Sequence, residues 1–387
     1  MKILSIDIGT GTQDIYLYDS QLHIENGFKL VVPSPTMIVH RQVRKATQSR
    51  TPILLTGVMM GGGPSAWAVE DHARAGLPVY ATPGAAKTLN DELEVVRASG
   101  IEIISEDEAA ALPESVQRIE FRDFNLPAIK KALSPFGVSL SDLDAIAVAV
   151  FDHGDAPPGV SDRQFRFDYL NERIQANPNS VAGSSLSSFA FLSTDIPPIM
   201  TRLGAVAESA GELDCPLIVM DTAPAAVLGA SFDPVVSQLE DKIITNIGNF
   251  HTLAFRMGEM GIEGVFEHHT GEIDLPRLET LLYALGDGSL RHEDVFEDMG
   301  HGALMYSDKK FEFGRGDFDV VVTGPRRSMY ANDPTLRPYY AAPFGDMMIA
   351  GCFGLLAATA EVLPELGKTI SKSMKDAGMG RPPWEIA

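Results

Sequence analysis

An acid at the end of a short apolar run, followed at once by a turn of glycine and threonine, is the most reactive-looking combination in this chain. Lys2–Ile8 reads as a buried strand carrying Asp7, Gly9-Thr10-Gly11-Thr12 as a tight turn, and Gln13–Tyr18 as a second, alternating strand. A carboxylate at a strand end can hold a hydrated metal ion, and the N–H groups and hydroxyls of such a turn can take a phosphate. Together they predict a Mg²⁺-nucleotide site, with Asp7 on the metal and Gly9, Thr10, Gly11 and Thr12 on the phosphates. The pattern is not the dinucleotide fingerprint. Asp14 stands where the third glycine belongs, and the turn leads into a strand rather than a helix. No Gly-Lys-Ser/Thr follows, so it is not a P-loop either.

Histidines form the second group. Five of the nine lie between residues 251 and 301. His251 follows a second candidate phosphate turn, Gly248-Asn249-Phe250, and is a candidate to bind or transfer a phosphoryl group near neutral pH. His268 and His269 end a strand beside Glu267, and neighbouring strand residues face opposite ways, so one of them at most faces a given site. His301 sits in a Gly-His-Gly turn. A metal or catalytic pair competes here with histidines that merely order glycine-rich turns. Asp152-His153-Gly154-Asp155 follows the central strand candidate, Asp144–Phe151, where α/β sheets gather their sites. Gly61-Gly62-Gly63-Pro64 opens a helix candidate and is either an anion site or a flexible turn. Arg202 reads as a surface residue.

Composition narrows the class. The chain has 387 residues, enough for two domains, and 45% hydrophobic residues, enough for ordinary cores. Its net charge is −21, from 52 acids against 31 bases, which argues against nucleic acid and anionic membrane as partners. Cys215 and Cys352 are far apart and fit a reducing compartment. The start leads straight into a strand, and the longest apolar run, Met347–Ala360, falls short of the roughly 18 residues a bilayer span needs. A cytoplasmic protein is expected.

The elements that must position these residues repeat. The first half reads as strands at Lys2–Ile8, Asp14–Tyr18 and Gly27–Val31, then at Ile53–Val58, Pro78–Ala81, Ile101–Ile104 and Asp144–Phe151. Helices are expected at Ala66–Ala75 and Thr88–Ala98, and Gly154–Ser188 as a long irregular connection, lid-like in character. Helix Ile199–Ala210 and strand Leu217–Met220 follow. The second half begins again with strands Lys242–Ile247, His251–Met257 and Gly261–Phe266. Helix Asp274–Leu285, strand Phe318–Thr323 and helix Asp346–Ala360 complete it.

A duplicated unit with a glycine turn opening each half resembles the actin, sugar-kinase and heat-shock-chaperone ATPase superfamily. Asp7 to Thr12 matches the first phosphate hairpin, Asp221 to Ala230 the connecting helix, Thr245 to Thr252 the second hairpin, and Val320 to Arg326 the adenosine motif. More narrowly, Gly248 to Thr252, Glu267 to Gly271 and Gly300 to Ala303 resemble a prokaryotic family within it, some members of which are labelled pyruvate formate-lyase activating enzyme. An iron–sulfur radical enzyme of that kind needs three closely spaced cysteines, which two distant ones cannot supply.

The resemblance implies an α/β fold of two RNase-H-like lobes with a central cleft. The first lobe is expected over residues 1–232 with an insertion, and the second over 233–387 with its C-terminal segment returning to the cleft. It implies ATP or another purine nucleotide with Mg²⁺, phosphates on Gly248, Asn249 and Phe250 as well as the first turn, and the base near Gly324 and Arg326. Asp221 is implied as the base that orients a nucleophile on the phosphate, and it also reads as a helix N-cap. Asn246 stands where the superfamily usually has an acid. ATP hydrolysis or phosphoryl transfer is the favoured expectation. The alternatives are a non-catalytic nucleotide-gated binding protein, and a metal-dependent hydrolase built on the second-half histidines. A protein partner is compatible with either, and neither acceptor nor oligomeric state is specified.

Overall fold

Two sheets of the same plan carry the site residues. The computed structural model describes residues 1–176, 186–259, 261–375 and 383–385. The chain opens as a meander of β1 (Lys2–Ile8), β2 (Thr12–Asp19) and β3 (Phe28–Pro33). An inserted unit follows, with β4 (Ile53–Gly57), β5 (Val79–Ala81), β6 (Glu102–Ile103) and β7 (Gln117–Phe121) in a parallel sheet of order β6-β5-β4-β7. The first sheet then resumes with β8 (Ala145–Val150), β9 (Ala190–Leu192) and β10 (Leu217–Asp221), giving the order β3-β2-β1-β8-β10-β9.

The second sheet uses β11 (Lys242–Ile247), β12 (His251–Gly258), β13 (Gly261–His269), β14 (Gly302–Met305), β15 (Val320–Thr323) and β16 (Pro338–Tyr340), in the order β14-β13-β12-β11-β15-β16. Without the outer strands β9 and β14, the two sheets are the same object. In each, an antiparallel meander of three strands is extended by two strands parallel to the first. That is the RNase-H-like plan, present twice, with a cleft between the lobes.

Burial explains the strand sequences. β8, Ala-Ile-Ala-Val-Ala-Val, is buried at every position, as a strand covered on both faces must be. Its Ile and Val side chains join the main core, while its alanines face the helix Ala350–Val362. That helix lies beyond the second sheet in sequence, yet it packs on β1 and β8 and against the helix Thr222–Ala230. The two helices touch through glycine. A Cβ at Gly229 would overlap the carbonyl oxygen of Ala350, and one at Gly354 that of Ala225. Among the described residues, no helix is long and apolar enough to cross a membrane.

Three expectations change. The stretch 154–188 contains the helix Asp162–Gln175; residues 177–185 of it lie outside the described residues. The helix expected over Thr88–Ala98 is present only as Leu93–Ala98, because Asn90 Oδ1 accepts the Glu92 N–H and makes a turn before it. A helix over Pro35–Ser49 was not anticipated; Ser34 caps it by accepting from Met37 N at 3.2 Å.

The helix contact is testable by urea unfolding. Gly229→Ala should destabilise the protein by about 1–3 kcal/mol or more, since overpacked backbone cannot yield as a side chain does. Gly204→Ala, in the helix Thr201–Ala210 with no heavy atom near the added carbon, should be neutral or stabilising by about 0.5–1 kcal/mol.

Candidate functional site

Both glycine turns are two-residue hairpin turns closed in the same way. Gly9 N–H donates to Thr12 O at 2.9 Å, and Gly248 N–H to His251 O at 2.9 Å. Counting from these bonds, Asp7 corresponds to Asn246, Thr10 to Asn249, Gly11 to Phe250 and Thr12 to His251. The first turn is braced from outside. Ser34, the cap of the Pro35 helix, donates through Oγ to Thr10 O at 2.5 Å and through its N–H to Gly11 O at 3.1 Å.

The turns face each other across the cleft and meet. A Cβ at Gly11 would collide with the Asn249 carboxamide, so glycine there permits the close approach. Phe250 reaches past it to Gly63 and to Trp67, whose ring centroid is 5.8 Å away. Beside this contact opens a chamber with about 120 Å³ of free space, lined by residues of both turns, by Asp7 and Asp14, and by Gly324 of the turn after β15. Of the site residues expected from sequence, Asp7, Gly9, Thr10, Thr12, Gly248, Asn249, Phe250, His251 and Gly324 line it. Gly11 serves the contact between turns instead. Arg326 is exposed and does not line the chamber; its N–H donates to Ile247 O at 3.0 Å and its carbonyl oxygen accepts from Met329 N at 3.0 Å. Gly324 has φ +98°, a conformation glycine tolerates, and an added Cβ would strike Ile247 O and Asn246 Oδ1.

The carboxylates lie beside the turn that joins β1 and β2. Asp7 and Asp14 are directly opposite in the register. Thr222 donates to Asp7 Oδ1 at 2.6 Å, and a side chain at Gly351 would run into the other Asp7 oxygen. Burial raises the Asp7 pKa to about 6, with the Asp221 charge adding to it and the Thr222 hydrogen bond opposing it. Burial, then the Asp7 charge, raises Asp14 to about 8. Asp14 Oδ1 is buried with no hydrogen-bond partner. Two carboxylates forced together, one with a bare oxygen, fit a hard cation such as Mg²⁺. In the sequence Asp14 shows only as a missing glycine; cross-strand register, which sequence does not show, brings it to the chamber.

Asp221 is differently placed. It caps the helix Thr222–Ala230 through Ala223 N at 3.0 Å, and its other oxygen takes Arg166 Nη1 at 2.6 Å. It does not line the chamber. Arg166 is buried and also donates through Nε to Glu267 Oε2 at 2.7 Å and through Nη1 to Asp152 O at 2.8 Å. Glu267 lies on β13, so this guanidinium joins the two lobes. Burial lifts the Glu267 pKa to about 7 against the pull of Arg166.

A second chamber, with about 470 Å³ of free space, adjoins the first. Thr10, Phe151, Arg202, Phe250 and His251 border both. Its walls come from the inserted unit, including Gly61, Gly62, Gly63 and Lys87, and from Asp152, His153 and Gly154 after β8. Asp152 is consumed structurally, accepting from Gly154 N and Leu203 N, both at 2.9 Å. Arg202 is not a surface residue. It donates to both oxygens of Asp123, at 2.7 and 3.1 Å, and to Phe151 O at 2.6 Å, tying the insertion to the first lobe.

At the junction of the chambers His251 stacks on Phe151, with ring centroids 4.1 Å apart. His153 and His301 come to it from either lobe, and their Nε2 atoms are 3.2 Å apart. Burial, and then the charges of Arg166 and Arg202, lowers the His153 pKa to about 3. Burial and the neighbouring histidines push His251 and His301 far below the usual range. His251 is therefore neutral at pH 7, contrary to the expectation that it titrates there. His268 points elsewhere, toward Asp298 at 3.6 Å, and His269 is held by Met299 O at 2.7 Å.

With this geometry in view, comparison with known proteins is decisive on one point. Residues 60–329 match the model of the family described as "Putative pyruvate format-lyase activating enzyme (DUF1786)". The chain belongs to that family. No curated protein matches it. Among solved structures, it is similar to a ROK hexokinase from Thermus thermophilus at 13% identity and TM-score 0.23, covering 68% of this chain and 48% of the hexokinase, about half its length. It is similar to the ethanolamine utilization protein EutJ from Carboxydothermus hydrogenoformans at 10% identity and TM-score 0.31, covering 92% and 89%. An acetone carboxylase in nucleotide-free form gives 10% and 0.22, over 97% and 61%. Likenesses this distant add nothing to the duplicated topology seen directly.

The carboxylate pair makes a stability prediction. Asp14 is an acid whose folded pKa, about 8, lies above its ordinary 3.8. The folded state keeps a proton that the unfolded state loses, so stability falls as the pH rises between those values. In metal-free buffer the stability of Asp14→Asn relative to wild type should grow from pH 4 to pH 8, measured by chemical unfolding. A constant difference across that range would contradict the assignment.

Proposed function

We propose that the cleft binds a purine nucleotide with Mg²⁺ and that the protein hydrolyses it or transfers its phosphoryl group to a small molecule. The observation that carries this reading is the convergence of both glycine turns, Gly324 and the Asp7–Asp14 pair on one chamber. Turn N–H groups and the hydroxyls of Thr10 and Thr12 suit phosphate oxygens. Asp7 and Asp14 are the residues that would hold Mg²⁺, whose bound charge would offset that of the phosphates. Thr222 fixes the Asp7 carboxylate, and the base would lie by Gly324, which borders the chamber. Asp221 has both oxygens engaged, so we assign it to positioning: through the helix it caps, it places Thr222, and through Arg166 it orders the cleft floor. The chamber's 120 Å³ is below the roughly 300–1,000 Å³ of sites that enclose a whole ligand. Nucleotide would therefore enter with Asn249 and Gly11 further apart than they stand here.

The adjoining 470 Å³ chamber favours transfer over simple hydrolysis. It offers an acceptor a polar pocket reached from the phosphate end, with Lys87 on its wall. A nucleotide-gated binding protein is the second reading, favoured by Asn246 in place of an acid and by turns that close on each other. The radical-enzyme activity in the family's description lacks its ligands here. Of two cysteines, Cys352 is buried with its thiol directed at the backbone oxygens of Ser5 and Asp14.

Calorimetry with ATP, ADP and GTP, each with Mg²⁺, should show binding of at least one nucleotide. Asp7→Asn should lower turnover by about 100-fold or more, as loss of a preorganised electrostatic group does, while leaving the melting temperature unchanged or raised. No binding at millimolar concentration, or wild-type turnover in Asp7→Asn, would remove this reading.

A further inference from the structure

The histidine cluster at the chamber junction is not used by the phosphoryl chemistry above, and its hydrogen bonds do not close. His153, His251 and His301 each offer one ring nitrogen, and these three atoms all lie within 4.8 Å of one another. They come from three separate places: the turn after β8, the first residue of β12, and the turn before β14. A neutral imidazole has one N–H and one lone pair. The 3.2 Å contact between His153 and His301 accounts for one hydrogen bond. His251 Nε2 is buried and has no partner. A cation at the centre would satisfy all three lone pairs at once.

The surroundings are those of a metal site. Glu267 Oε1 lies 3.4 Å from His301 Nδ1, while its other oxygen is held by Arg166. Both atoms are buried and neither has a hydrogen-bond partner as they stand; a carboxylate so placed can accept from Nδ1–H once the ring is held by an ion at Nε2. The rings are fixed, His251 by its stack on Phe151 and His153 by its near-parallel stack on His301 at 5.3 Å. Two nitrogens bound at 2.0–2.1 Å to one tetrahedral ion stand roughly 3.3 Å apart, close to the distance seen.

We propose that His153, His251 and His301 bind one divalent transition-metal ion of the zinc class, linking the two lobes across the cleft. Three imidazoles suit zinc, cobalt, nickel or copper and not Mg²⁺, which the carboxylates of Asp7 and Asp14 suit. The cleft thus sorts two cations by ligand hardness. His153 and His251 both border the second chamber, so a fourth ligand would be a donor atom from a small molecule there. Because His153 stands on the first lobe and the other two on the second, the ion favours the closed arrangement. This inference stands apart from the nucleotide reading and survives its failure.

Titration of the metal-stripped full-length protein with Co²⁺ tests it. Wild type should bind one equivalent with the intense visible bands of a four- or five-coordinate nitrogen site, and Zn²⁺ should abolish them. Asp7→Asn should keep the bands. Glu267→Gln should keep them at about 10–100-fold weaker affinity. His153→Ala, His251→Ala and His301→Ala should each lose them. The proposal is overturned if folded wild type gives no saturable band, a result independent of whether any variant folds. It is also overturned if the bands vanish in Asp7→Asn or persist in a folded histidine variant.

Discussion

The cleft depends on one buried guanidinium. Arg166 reaches from the helix Asp162–Gln175 to Asp221 on the first lobe and Glu267 on the second, and lies 3.9 Å over the Phe151 ring. A charge with no access to water is tolerated only if its partners are in place, and removing one partner of such a group typically costs about 3–5 kcal/mol. The lobes are therefore not free to adopt any spacing. Asp221, held by Arg166, starts the helix that carries Thr222, and Thr222 fixes Asp7. Glu267, held by the same group, stands behind His301. The carboxylate end and the histidine end of the cleft are thus tied to a single side chain.

The repeated topology accounts for the frame, and the differences between its two copies for the chemistry. The two hairpin turns share the same closing hydrogen bond, yet an acid at Asp7 is matched by an amide at the equivalent Asn246, and a threonine at Thr12 by a histidine at His251. Each sheet also has a different outer strand: β9 beside β10, and β14 beside β13. The turn leading into β14 carries His301. The first lobe consequently brings the oxygen donors Asp7 and Asp14 together with His153, and the second brings His251 and His301.

Much of this was legible in the sequence where local pattern and tertiary role agree. β1 and β11 lie where expected, because each is an apolar run ended by a glycine turn. The repeated topology followed from element order; both turns and Asp7 stand out by residue type, whereas Gly324 entered only through the resemblance to the adenosine motif. What was not legible depends on contacts between distant segments. The helix Asp162–Gln175 is rich in charge, and its buried arginine breaks the apolar stripe that marks a helix. Arg202 looks like a surface residue until Asp123, 79 positions away, is folded against it. Arg326 shows the reverse: a cation in a motif is a poor guide to direction, and here it faces solvent. The histidines were visible as a cluster in the second half, but His153 joins them only through the closure of the lobes.

Hydrogen–deuterium exchange of the full chain with and without Mg²⁺-nucleotide tests the central claim most directly, because it reads the turns themselves. The account predicts slowed exchange at the amides of Gly9–Thr12, Gly248–Phe250 and Thr323–Gly324 together. Unchanged exchange at all three segments, or protection confined to a surface away from both turns, would contradict it.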